Sequence, residues 1–293
     1  MTRKLNVVLL VFLLLVGVPF YWLLLDTSAG NHALKPVTIE QLRTLSASMT
    51  GKGPESVRYE IVARRGISGN LLAAGSGLRP VRFETRAYQL VYGDGTWITI
   101  DRGIDSRSAR ERHTAHFDPI AQSAVDRAVS GASLRLLHAN RTLHQATGQP
   151  GGAAKAIVAR AANGQRAGPF AVAPGVVLIP ADSVEPGESL YYVRRADGRE
   201  MLFAGDIAVI SDAWLGLRPP ARIVTSALAP RNREEIAAWL RTIQALKQSA
   251  PKLEVITGHG ANVPSGLEHG FVFPGLSHAK SAHKRLALLT MIG

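Results

Sequence analysis

Three side chains with electron pairs to offer stand just past short apolar segments of this chain: His138 after Leu134–Leu137, Asp206 after Met201–Phe203, and His259 after Leu253–Thr257. Imidazole nitrogens and carboxylate oxygens hold divalent cations such as zinc. About three of them with one coordination position left open make a hydrolytic site, because the ion acidifies a water. In layered α/β proteins ligands gather at such strand ends. Each of the three is equally the kind of residue that caps a strand or makes a turn, and spacing alone does not bring them to one point. The sequence contains no cysteine. Disulfide scaffolds, thiolate zinc sites, thiol catalysis and iron–sulfur clusters are thereby excluded, and any metal must rest on His, Asp, Glu or Asn.

The elements that must position these residues are legible in the apolar pattern. Ala87–Asp101 reads as two strands around a Gly-Asp-Gly turn, and Val57–Arg64 alternates like a strand. Asp118–Val129 has the periodicity of an amphipathic helix, as does Arg233–Ser249, while Thr38–Ser48 carries one further helix. Val176–Pro180, Ser189–Val193 and Glu200–Phe203 are short strands, the last two joined by an Asp197-Gly198 turn. Strands alternating with helices predict a layered α/β domain. With 293 residues, 46% hydrophobic and 19% charged, the composition is globular. The 34 Lys and Arg against 22 Asp and Glu leave a net charge of +12, but the basic residues are scattered and show no aromatic-interleaved motif, so no nucleic-acid partner is expected.

Arg3 and Lys4 precede an uncharged apolar run, Val7–Leu25, that ends at Asp26. Its 19 residues span about 28 Å as a helix, close to the hydrocarbon thickness of a bilayer. This predicts a single-pass inner-membrane anchor, with the basic end in the cytoplasm and the main domain facing the periplasm. Thr27-Ser28-Ala29 is a tolerable cleavage site, so release into the periplasm after signal removal is the alternative. The expected organisation is an anchor or uncleaved signal over 1–30, a linker and leading segment over 31–80, a main domain over 81–265, and a C-terminal tail over 266–293.

The order Ala87–Asp101 with Gly103, then His138, then Ala173–Val193 leading into Phe203-Ala-Gly-Asp206, then Gly258-His-Gly260 resembles the metallo-β-lactamase-fold superfamily. That resemblance spans roughly Ala87 to Ala261. It implies an αββα four-layer sandwich with a one- or two-zinc hydrolytic site at one edge. His138, Asp206 and His259 take the positions of family metal ligands. The family loop His-x-His-x-Asp-His is here His138-Ala-Asn140-Arg-Thr142-Leu143-His144, with Asn140, Thr142 and Leu143 in place of ligands and His144 one residue out of register. A later family histidine falls at Val184. Counted in this register, neither zinc shell is complete. Asn140, His144, Asp182 and Glu185 are the available helpers.

Two functions follow from that inventory. The first is a membrane-anchored protein of this fold, weakly active or non-catalytic, with a binding or scaffolding role and either no cofactor or one weakly bound zinc. The second is an active metal-dependent hydrolase of a small ester, lactone, thioester or amide that uses substituted ligands. The membrane, through the N-terminal helix, and a small molecule are the expected partners.

Overall fold

Every residue of Val176–Pro180 is apolar and all but the last are buried, the mark of a strand covered on both faces. In the computed structural model Val176 and Leu178 point to one core and Val177 and Ile179 to another. The structure describes residues 2–28, 30, 33–111, 116–139, 144 and 168–274.

Two sheets build the domain. The first runs β11 (Glu268–His269), β1 (Ser56–Ser68), β2 (Pro80–Val91), β3 (Trp97–Ile100), β5 (Leu134–Leu136), with β4 (His116–Phe117) also paired to β1. The second runs β10 (Glu254–Thr257), β9 (Glu200–Gly205), β8 (Ser189–Arg194), β7 (Val176–Pro180), β6 (Phe170–Ala173). Their facing sides share one core, in which Tyr88, Leu90, Ile98 and Ile100 meet Leu178, Tyr191, Met201 and Phe203. Helices Ile39–Ser46 and Arg233–Ser249 cover the outer face of the second sheet through Leu42, Ile236, Leu240 and Ile243. Helix Pro119–Gly131 covers the outer face of the first through Val125 and Val129. The result is the four-layer αββα order.

Local signals account for the boundaries. Thr38, Asp118 and Asn232 each accept a backbone N–H of the following turn and so start their helices. β1 pairs with β2 from Ser56↔Val91 to Ser68↔Pro80. The sheet therefore takes its longest strand from the leading segment, well before residue 81. Arg3–Leu25 is a continuous helix, long and apolar enough to cross a membrane and with none of its apolar window buried. It continues through Pro19, which lacks the N–H an α-turn needs, and has wide turns at Leu13–Gly17 and Tyr21–Leu25 on either side. Asn140, Thr142 and Leu143, and the tail beyond 274, lie outside the described residues.

Candidate metal centre

Four chain segments deliver polar side chains to one end of the sandwich. β3 ends at Ile100 before Asp101, β5 leads into His138 and His144, β9 ends at Gly205 before Asp206, and β10 is followed by His259. Asp101, His138, His144, Asp206 and His259 are each no more than 5% exposed. Gly205 has φ +53°, and a β-carbon there would lie 2.5 Å from the His138 ring, so glycine is required to let that ring close on the strand end.

The five groups form a continuous chain of contacts. Asp101 Oδ1 accepts the His138 backbone N–H at 3.0 Å, and Oδ2 lies 2.8 Å from His138 Nδ1 and 2.9 Å from His144 Nδ1. His144 Nε2 lies 3.3 Å from Asp206 Oδ2, and His259 Nε2 lies 2.9 Å from Asp206 Oδ1. His259 is fixed from behind, its ring stacked on Phe83 at 4.0 Å and its Nδ1 2.8 Å from the Glu84 carbonyl. That carbonyl can only accept, so Nδ1 carries a proton and Nε2 is the nitrogen turned to Asp206.

Burial opposes ionisation of His144, Asp101 and Asp206, yet the neighbouring charges prevail over it. Burial would lower the His144 pKa, but Asp101 and Asp206 hold it well above 6.5. Burial would raise Asp101, and His144 and His138 hold it well below the carboxylate range; His144 and His259 do the same for Asp206. The cluster thus presents two carboxylates to a buried space that needs about two positive charges, either from protons or from one divalent cation. His138 Nε2 and both His144 nitrogens are buried without a hydrogen bond of good geometry. With two three-donor groups, Asp101/His138/His144 and His144/Asp206/His259, each gathered within 4.8 Å, the donor set fits a metal.

The two groups differ in access. Both Asp101 oxygens are occupied by His138 and His144. Asp206 and His259 instead line a cavity of about 870 Å³, walled by apolar residues including Phe83, Val209 and Val224, with Arg231 and Glu185 at its polar side. Of the second group, Asp206 and His259 face space for a ligand, and His144 reaches Asp206 at 3.3 Å.

The structure brings His138, Asp206, His259 and the helper His144 together. The count from the sequence took ligands in register from His138 and found neither shell complete; in space each of two groups gathers three donors, His144 among both. Asp182 is not part of the cluster, since its Oδ1 accepts the Gly187 N–H within its own turn. Glu185 lines the cavity and stands 4.0 Å from Arg231. Val184 is a core residue. Asp101 escaped the sequence reading, although it follows an apolar strand just as His138, Asp206 and His259 do.

No family model and no curated protein matches the chain. Solved structures do. A quorum-quenching N-acyl homoserine lactone lactonase aligns over 76% of this chain and 98% of its own at 12% identity, with a TM-score of 0.56. An N-acyl homoserine lactone hydrolase, solved with N-hexanoyl-L-homoserine at its catalytic metal centre, aligns over 71% and 94% at 13% identity and a TM-score of 0.53. A probable metal-dependent hydrolase from Staphylococcus aureus aligns over 73% and 92% at 12% identity and a TM-score of 0.52. The chain has the metallo-β-lactamase fold.

Proposed function

We propose that the chain is a membrane-anchored hydrolase that binds one zinc ion and cleaves a small ester, lactone, thioester or amide. The observation that carries this reading is the meeting of His144, Asp206 and His259 at one point, with Asp206 and His259 on the wall of the 870 Å³ cavity. The similar lactonases add support for an acyl substrate with a lactone or open-chain carbonyl. His144, Asp206 and His259 would hold the ion, with His138 Nε2 as a further donor. When bound, zinc would polarise a carbonyl and acidify a water toward neutral pH.

The remaining residues act on position and solvent. Asp101 holds His138 and His144 in one tautomer and orientation, as carboxylates behind metal-bound histidines do. The Glu84 carbonyl and the Phe83 ring fix His259. Arg231 donates to the Asp206 carbonyl and lies 3.3 Å from Glu188, which pins the turn carrying Asp206. The apolar cavity walls exclude bulk water from the substrate carbonyl.

One observation favours a second reading, that of a non-catalytic binding protein. The five groups also satisfy one another, with the His144 ring set between the Asp101 and Asp206 carboxylates like an internal cation. A panel of acyl lactones and esters offered to the full chain in detergent separates the two readings. Hydrolysis that disappears on chelation, returns with zinc, and is lost in Asp206→Asn and His259→Gln supports the enzyme. Absence of turnover in zinc-loaded protein leaves the binding role.

The Arg3–Leu25 helix, with Arg3 and Lys4 at its N-terminal end in the basic-inside arrangement, supports a single-pass inner-membrane anchor with the domain in the periplasm. Retention of the intact chain in carbonate-washed membranes is expected. A processed chain beginning near residue 30 in the soluble periplasmic fraction would contradict the anchor.

A further inference from the structure

The end of the N-terminal helix is seated on the domain. Asp26 accepts from Arg222 Nε and Nη2 at 2.8 and 2.6 Å, and its backbone carbonyl accepts from Arg233 at 2.5 Å. The Arg222 guanidinium lies over the Trp22 ring at 5.3 Å, and the Leu25 carbonyl rests against Gly75. The two segments that receive the helix are bonded to each other, Ala74 N–H to Pro219 O at 2.9 Å and Arg218 Nη1 to Gly75 O at 2.8 Å.

Those same two segments wall the cavity. Leu71 and Leu72 come from the first, and Pro220, Val224 and Leu228 from the second. Leu228 both lines the cavity and is 67% exposed, which places it at the mouth. Leu78, three residues past Gly75, is 63% exposed and is followed by the exposed Arg79 and Arg82. With Leu25 as the last apolar residue of the span and Trp22 near its end, this side of the domain lies at headgroup level. Protruding leucines beside arginines suit that zone, where acyl chains and anionic phosphates meet.

From this arrangement we infer that the cavity takes the acyl chain of a bilayer amphiphile, which enters laterally between Leu71–Leu72 and Val224–Leu228 and brings its polar head toward Asp206 and His259. The inference rests on the anchored-hydrolase reading and narrows its substrate to membrane-resident acyl compounds. A chain that passes straight from bilayer to apolar cavity never exposes its methylenes to water.

The test uses the full chain in nanodiscs made with a phosphatidylcholine that carries a diazirine midway along one acyl chain. After irradiation, cross-linked peptides are mapped by mass spectrometry, without added zinc and with it. Cross-links on the peptides bearing Leu71–Leu72 and Val224–Leu228, in addition to those on the anchor, are expected under both conditions. They should fall at least fivefold in Leu228→Glu and in Leu71→Glu, with anchor cross-links unchanged as the internal standard. Leu228 is exposed and Leu71 half-buried, and circular dichroism checks each fold. Cross-links confined to Arg3–Leu25 would overturn the lateral-entry proposal while leaving the anchor standing. Absence of cross-links from Arg3–Leu25 as well would overturn both. A metal-free protein that still gives cavity cross-links would separate acyl binding from the hydrolase reading.

Discussion

Two buried ionic clusters flank the short stretch that carries His259 and Gly260, and they are built from opposite materials. In the first, the Glu84 carboxylate is surrounded by Arg86, Arg82 and Arg64, and Arg86 also donates to the Gly260 carbonyl. Arginine does not lose its proton, so this cluster has one state. In the second, Asp101 and Asp206 meet only histidines, whose protons can leave. A cluster balanced by arginine is a fixed strut, whereas one balanced by imidazoles can exchange its protons for a metal ion. Burial and charge pairing alone therefore do not mark a site; the exchangeability of the positive charge does.

The largest expected effect comes from the strut. Arg86→Met leaves Glu84 buried beside two more exposed arginines, and it should lower stability by about 3–5 kcal/mol, read as a fall in Tm in the metal-free and zinc-loaded protein alike. An equal fall confined to the zinc-loaded form would mean that the two clusters are one.

Gly205→Ala puts a methyl group into the His138 ring at a backbone angle that favours glycine. It should cost about 1–3 kcal/mol and displace His138, detectable by thermal melts and by histidine NMR shifts. Unchanged shifts would show that the ring is free to move and that the contact is not tight.

Asp101→Asn keeps the shape but removes the charge that orients two histidines. Zinc affinity measured by competition with a chelating dye should drop about 10–100-fold, with little change in the fold. No change would place Asp101 outside the metal's support.

The smallest effect is a pH dependence. Because His144 is held well above 6.5 in the folded protein, the stability this contributes is fully present below about pH 6.5 and is lost as pH rises through the raised pKa. A zinc ion held there would take the proton's place, so Tm of the metal-free protein should decline from about pH 6.5 upward, more steeply than that of the zinc-loaded protein. Parallel curves would argue that zinc binds elsewhere.

Much of this molecule was legible in its sequence. Val176–Pro180 and Arg233–Ser249 have the boundaries that their apolar patterns imply, because burial on both faces and an Asn232 cap leave little freedom. β6, β4 and β11 were not seen, since two or four residues carry no period and their pairing is decided by distant strands. In the site, His138, Asp206 and His259 were visible as strand-end residues. His144 stood in the sequence only as a helper one residue out of register, because a loop has no repeat that fixes where its side chains fall. Asp101 was passed over because its role depends on β3 and β5 lying side by side, a pairing between residues more than thirty positions apart.

Zinc X-ray absorption spectroscopy on the full chain, loaded with one equivalent and washed, tests the central claim most directly. About one retained zinc, with scattering from two imidazoles plus oxygen ligands and loss of that signal in His144→Ala, is the predicted result. Protein that keeps no zinc after loading, or a zinc environment unchanged by His144→Ala, would contradict it.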